Sequence, residues 1–175
     1  MSSRLDEVID HLSRTPTTLR TLLAGLPEKL LHADEGPGTW SSYGIVGHLI
    51  HGERTDWIPR AQQILDGSTE PFEPFDREAQ NRRDVVPVAS LLDEFEEVRR
   101  ENLTTLRSWE LTAAQLSRVG IHPAFGEVTL GQLLSTWGVH DLGHIAQICR
   151  VLAHPSRDAV GPWVEYLPIL QRRNG

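Results

Sequence analysis

Thr129-Leu130-Gly131-Gln132-Leu133-Leu134-Ser135-Thr136-Trp137-Gly138-Val139-His140-Asp141-Leu142-Gly143-His144-Ile145-Ala146-Gln147-Ile148-Cys149-Arg150-Val151-Leu152-Ala153 reads as one long helix. Thr129 with Gln132 three residues on is a capping box, in which the hydroxyl and the amide satisfy two orphan N–H groups at the helix start. Pro155 stops the run, because its ring cannot donate into the preceding turn. At about 100° per residue, Leu130, Leu133, Leu134, Trp137, Ile148, Val151 and Leu152 share one face. Gln132, Ser135, Thr136, Gln147 and Arg150 lie opposite. His140 and His144 fall inside the apolar sector, in line with Leu133 and Val151. A helix this long with one apolar face needs partners of the same kind.

The rest of the chain supplies them. Leu5, Val8, Ile9, Leu12, Leu19, Leu22 and Leu23 form a stripe on a segment from Ser3 to about Gly25, with Pro16 predicting a kink or break near Arg14. A second segment opens at Thr39-Trp40-Ser41-Ser42, where a serine can cap the helix, and runs to about Leu65 with a kink at Pro59. After a stretch holding Pro71, Pro74 and Pro87, a third helix starts near Ser90, with Asp93 completing a capping-box pattern, and reaches about Trp109. Its buried face is Leu91, Leu92, Phe95, Val98, Leu103 and Leu106. Thr112 opens a minor turn, Gly120 to Glu127 reads as a loop, and the tail from Gly161 to Gly175 carries a short closing helix. Alternating strand patterns of useful length are absent. The expected fold is all-α, a four-helix bundle in one domain over residues 1–175. The link between the second and third helices is long enough to run a full helix length, which allows those two to be parallel and gives an up-down-down-up order.

Composition narrows the function. The chain has 175 residues and a net charge of −7 (17 basic, 24 acidic), and no basic run suits a nucleic-acid backbone. No apolar stretch approaches the ~20 residues of a membrane span. The N-terminus turns acidic where a secretory signal would be apolar, so a soluble cytoplasmic protein is expected. Its single cysteine, Cys149, excludes an intramolecular disulfide or a multi-cysteine zinc site and reads as a small core residue. Eight histidines are the sign of chemistry.

His140 and His144, one turn apart, suit two imidazoles on one metal ion, and two core histidines are costly without a shared partner. His48 is the third candidate; it shares a face with Ile45, Leu49 and Gly52, the glycine leaving room for close approach. His51 points nearer Arg54 and Ile58 and reads as a surface or interface histidine. His11, His32 and His154 lie near helix ends, and His122, before Pro123, either covers the site mouth or orders its loop. His140-Asp141-Leu142-Gly143-His144 is similar to the zinc-protease pattern His-Glu-x-x-His, but Asp is one methylene short for the general base and no third ligand follows. Asp141 reads as an ion pair or hydrogen bond to a neighbouring helix, or else as an orienting group or proton relay. Glu53 reads as ion-paired, or else as an auxiliary ligand or base. Asp141 and Glu53 are therefore the catalytic candidates beside the metal candidates His48, His140 and His144.

Trp40-Ser41, then Gly47-His48-Leu49 with Glu53 and Trp57, Val128-Thr129-Leu130, and His140-x-x-x-His144 followed by Gln147 and Arg150, together resemble the DinB/YfiT-like superfamily over almost the whole chain. The resemblance implies an up-down-down-up four-helix bundle, often a homodimer, with one divalent metal ion held by His48, His140 and His144, zinc or nickel being the expected ions. It also implies a small-molecule substrate, with thiol-dependent transferases among the relatives and a low-molecular-weight thiol as a possible cofactor. Three readings follow as expectations: a metal-dependent S-transferase or hydrolase, a non-catalytic metal-binding dimeric bundle acting as a binding or sensor module, or a metal-free bundle whose histidines are hydrogen-bonded in the core.

Overall fold

The computed structural model describes residues 3–171; Met1-Ser2 and the end of the expected closing helix, 172–175, lie outside the described residues. Seven α-helices follow in the order α1 (Ser3–Leu23), α2 (Glu28–Leu31), α3 (Ser42–Thr55), α4 (Trp57–Leu65), α5 (Val88–Ser108), α6 (Ala113–Leu116) and α7 (Leu130–Ala153). A hairpin of β1 (Val119–His122) and β2 (Gly126–Thr129) precedes α7.

Packing fixes the directions. Both α1 and α3 lie against α5 and α7. Arg20 of α1 reaches Asp93 and Glu96 of α5, while Leu12 O accepts from Arg99, so α1 and α5 are antiparallel. At one end of α3 the Tyr43 hydroxyl meets Val86 before α5, and at the other Glu53 meets Arg99 and Asn102, so α3 and α5 are parallel. Gly138 packs on Val8, and Arg99 joins Leu12 O to Asp141, which sets α7 parallel to α1. The bundle is up-down-down-up, and the long connection from Asp66 to Pro87 makes the parallel pair possible. Among the described residues no helix is long and apolar enough to cross a membrane.

Local chemistry departs from the sequence reading in four places. Helix α1 runs through Pro16 without a break. The second segment breaks at Asp56 (φ −112°, ψ −68°) and not at Pro59, which sits in the first turn of α4. The cause is the same proline: it cannot donate to the Thr55 carbonyl, so the ladder ends one turn earlier. Helix α5 begins at Val88 after Pro87 with no side-chain cap; Asp93 pairs with Arg20 instead. The span read as a loop is the β-hairpin, closed by Gly126 in the left-handed region (φ +72°). Gly120 is required in β1, because a Cβ there would stand 2.6 Å from Ile64 and 2.7 Å from Phe72. By contrast Ser41 caps α3, and the boxes at Thr112 and Thr129 both form.

The core is two hydrophobic clusters. One gathers Leu5, Val8, Leu12, Trp57, Ile64, Phe72, Leu103, Leu106, Leu134 and Trp137. The other gathers Leu19, Leu23, Ile45, Ile50, Phe95, Ile148 and Val151. Along every long helix a polar residue separates the two: Thr15 on α1, Glu53 on α3, Arg99 on α5 and Asp141 on α7, all buried. That stratum positions the site.

Candidate metal centre

His48 on α3 and His140 and His144 on α7 are brought together, with one ligand atom from each lying within 4.8 Å of the others. Their Nε2 atoms converge: His48 to His140 is 3.3 Å, and His140 to His144 is 3.1 Å. Three nitrogens on a tetrahedral ion with ~2.05 Å bonds would stand about 3.3 Å apart. His144 Nδ1 faces Gln147 Oε1 at 2.9 Å, which puts the proton on Nδ1 and leaves Nε2 as a bare lone pair. Gln147, placed on the polar side of the helix by its spacing, thus serves the cluster. The Nδ1 atoms of His48 and His140 have no partner among the described residues. Packing holds those rings instead: Trp40 lies 4.6 Å and Phe75 5.3 Å from His48, and Trp57 meets His140 edge-on at 5.2 Å.

The electrostatics keep the rings neutral. Burial, then repulsion from its two partners, pushes His48 from an ordinary 6.5 down to about 3. Burial, then His144 and Arg99, pushes His140 to about 3 as well. His144 is lowered by burial against the opposing pull of its Gln147 hydrogen bond. Neutral imidazoles with inward lone pairs are what a cation needs. His48 is buried, and His140 and His144 are partly buried.

Glu53 and Asp141, the catalytic candidates, both point into the polar stratum. Asp141 accepts from Arg99 Nη1 and Nη2 at 2.6 and 3.1 Å. Glu53 Oε1 accepts from Arg99 and from Trp137 Nε1 at 2.8 and 2.9 Å, and its Oε2 from Asn102. Arg99 is the residue the sequence reading missed. Burial works against its charge, but Asp141 and then Glu53 outweigh that and hold its pKa above the ordinary 12.5. The signal was there: Leu92, Phe95, Arg99, Leu103 and Leu106 are one stripe, and an arginine in a core register needs a carboxylate partner.

The other histidines stand apart. His51 lies 5.0 Å from Phe75, on the edge of the segment that crosses α3. His122 stacks on Phe125 and accepts from the Ala124 and Phe125 N–H groups, so it orders its own turn and makes no ring contact with the trio. Cys149 is half-buried. The crossing segment is hooked to the hairpin by Phe72 N–H to Ile121 O and to α4 by Arg60 to Glu73 O. It carries Phe75 onto His48 and continues into Gln80, which packs on Gly47. Between them Arg77 is exposed, and its charge acts on both His48 and His144. Among the described residues Arg77 has no ion-pair partner, whereas Arg82 and Arg83 are paired with Asp76 and Glu94. A separate cavity of about 960 Å³ lies towards the C-terminal end of α7, lined by Glu35, Arg150, His154, Arg157 and Leu170 among others, without the trio.

Comparison with known proteins agrees with this fold. The sequence profile of the DinB superfamily matches residues 11–148. A protein of Oceanobacillus iheyensis, provisionally named a metal-dependent hydrolase, is 21% identical over 151 residues, covering 83% of this chain and 86% of the relative. The solved structure of YfiT from Bacillus subtilis, described as a probable metal-dependent hydrolase with an unusual four-helix bundle topology, superposes with a TM-score of 0.76. It is 23% identical, and the match covers 91% of this chain and 90% of YfiT, so it speaks for the fold. With the profile spanning most of its length, the chain belongs to the DinB superfamily.

Proposed function

We propose that the protein is a divalent-metal-dependent enzyme acting on a small-molecule substrate, in which His48, His140 and His144 would hold the ion. The observation that carries this is the convergence of three neutral imidazoles, each offering Nε2, on a cluster whose His140 and His144 are only partly buried. A divalent ion held there would supply Lewis acidity, bring the pKa of a coordinated water towards ~7, and hold a coordinated thiol as its thiolate.

The chain's own residues do the rest. Gln147 fixes the His144 tautomer. Trp40, Phe75 and Trp57 hold the rings and keep bulk water from the buried side. Glu53 and Asp141 act on the site through Arg99 and Trp137, since their oxygens are engaged there. Arg77 favours a substrate or co-substrate bearing a carboxylate or phosphate, which suits a charged low-molecular-weight thiol as readily as an anionic ester. Hydrolysis is the first reading, because both relatives are described as metal-dependent hydrolases. Thiol transfer is the same chemistry with a different nucleophile.

Untagged cytoplasmic expression, metal analysis and assay against activated esters, with and without low-molecular-weight thiols, test the proposal. One divalent ion per chain and turnover that both vanish in His140→Ala are expected. Metal-free wild-type protein sinks it. A second reading, a metal-stabilised dimeric binding module, is favoured by Val139 and Leu142, which stand 69% and 48% exposed on α7. A bound ion with no turnover across the panel, in a chain that sediments as a dimer, selects that reading.

A further inference from the structure

We propose that the buried Glu53–Arg99–Asp141 cluster carries a surplus negative charge whose counter-ion is the divalent cation of the histidine site, so that these carboxylates set cation affinity without touching the cation. The inference rests on the reading of the trio as a metal site.

The charge count is short. Glu53 and Asp141 contribute two carboxylates and Arg99 one guanidinium, each side chain 1% exposed. The cluster therefore sums to −1. Its other contacts are neutral: the Leu12 carbonyl, the Asn102 amide and the Trp137 indole. Asp56 and Arg60 lie nearby as a pair that sums to zero. Arg77 is exposed and acts on His48 and His144 rather than joining the buried cluster. The three imidazoles bring no charge of their own. A surplus buried carboxylate is costly unless something cationic stands within reach.

The histidine site is the place for it. Asp141 adjoins His140 in sequence, and the indole that donates to Glu53 belongs to Trp137, one turn before His140. A dication on the trio turns the surplus from a liability into a partner. Removing one carboxylate then has opposite effects on the two states: the metal-free protein loses a burden, while the cation loses an attraction. A carboxylate that served packing alone would weaken both.

Glu53→Gln is the test. It keeps the side chain's size and an oxygen for Arg99 and Trp137, and Asp141 still grips Arg99 through two hydrogen bonds. Its new amide NH2 would face the Asn102 amide that donates to Glu53 Oε2, so the exchange is made in an Asn102→Ala background and read against Asn102→Ala alone. The melting temperature of the chelator-stripped protein is measured, and zinc affinity is read by competition with a chromophoric chelator. The zinc Kd should rise about tenfold or more, as it does when supporting groups of a metal site are removed. The metal-free melting temperature should stay level or rise. A Kd within about twofold of the Asn102→Ala reference, a metal-free melting temperature below that reference, or a variant that does not fold when the reference does each overturns the proposal. Weakening beyond that at an undiminished melting temperature sustains it. Wild-type protein that takes up no zinc would instead sink the metal reading itself, whereas equal binding by the Asn102→Ala reference and the variant sinks only the counter-charge.

Discussion

Arg99→Met is the most incisive single perturbation of this fold. The guanidinium donates to Leu12 O at 2.8 Å, to Asp141 at 2.6 and 3.1 Å and to Glu53 at 2.8 Å. Methionine leaves Asp141 with neither oxygen served by Arg99, while Glu53 retains Trp137 and Asn102. Stranding a buried carboxylate in this way costs about 3–5 kcal/mol. For a chain of this size each kcal/mol moves the melting temperature by about 2–4 °C, so a fall of about 6–20 °C is expected. Thermal melts by circular dichroism, with urea titration to check that the m-value is unchanged, read it directly. Saturating zinc should restore more stability in the variant than in wild type, because the uncovered carboxylates attract the cation. Replacing the charges together, by Arg99→Met with Glu53→Gln and Asp141→Leu, should recover most of the loss, as neutral exchanges of buried ion pairs do. A single-variant loss below about 1 kcal/mol would show that the carboxylates are solvated, and the picture of a dry polar stratum would fall.

Four further outcomes follow from the geometry. Zinc at a hundred times its Kd should stabilise the wild type by about 2.7 kcal/mol, and His140→Ala should abolish that gain in a metal-titrated melt. His48 and His140, held near 3 when folded against 6.5 when free, bind protons only on unfolding across that window. Metal-free stability is therefore full above pH 6.5 and declines as pH falls towards 3; urea midpoints against pH should show a shallower decline in His48→Gln. Gly120→Ala forces a Cβ into Ile64 and Phe72 and should cost about 1–3 kcal/mol while leaving zinc affinity intact, as denaturation and chelator competition would show. Thr129→Ala removes the cap of α7 and should cost about 1 kcal/mol by the same melts.

The bundle was legible because its helices announce themselves: the capping box at Thr129, the serine cap at Ser41 and the long proline-rich link that permits a parallel pair are local signals. The trio was legible too, since two histidines one turn apart on a core face need a common partner and His48 lay on the apolar side of another helix. What escaped depends on contacts between distant segments. Val119-Gly120-Ile121-His122 is too short for its alternation to register, and its glycine is there for Phe72, some fifty residues earlier. Phe75 and Arg77 belong to a stretch with no periodicity, so nothing local says that it crosses α3 beside His48. Asp93 looked like a cap because its spacing fits one, yet the helix starts two residues earlier, at Val88 after Pro87, which leaves Asp93 to face Arg20.

The polar stratum explains why the core is split. A bundle stabilised only by burial would fill Thr15, Glu53, Arg99 and Asp141 with leucines, since each lies on its helix's inward stripe. Instead one hydrophobic cluster ends at Leu12, Trp57, Leu103 and Trp137 and the other begins at Leu19, Ile50, Phe95 and Ile148. Buried ion pairs add little net stability over well-packed apolar residues. They do fix register, because Arg99 touches α1, α3 and α7 at once and can satisfy all three only when the helices stand at one height. That height is the one at which His48 meets His140 and His144, on rods that carry Glu53 and Asp141 themselves. A slip of one turn, about 5.4 Å, would both strand the guanidinium and pull the imidazoles apart. The same interaction that sacrifices core packing thus secures the geometry a cation requires.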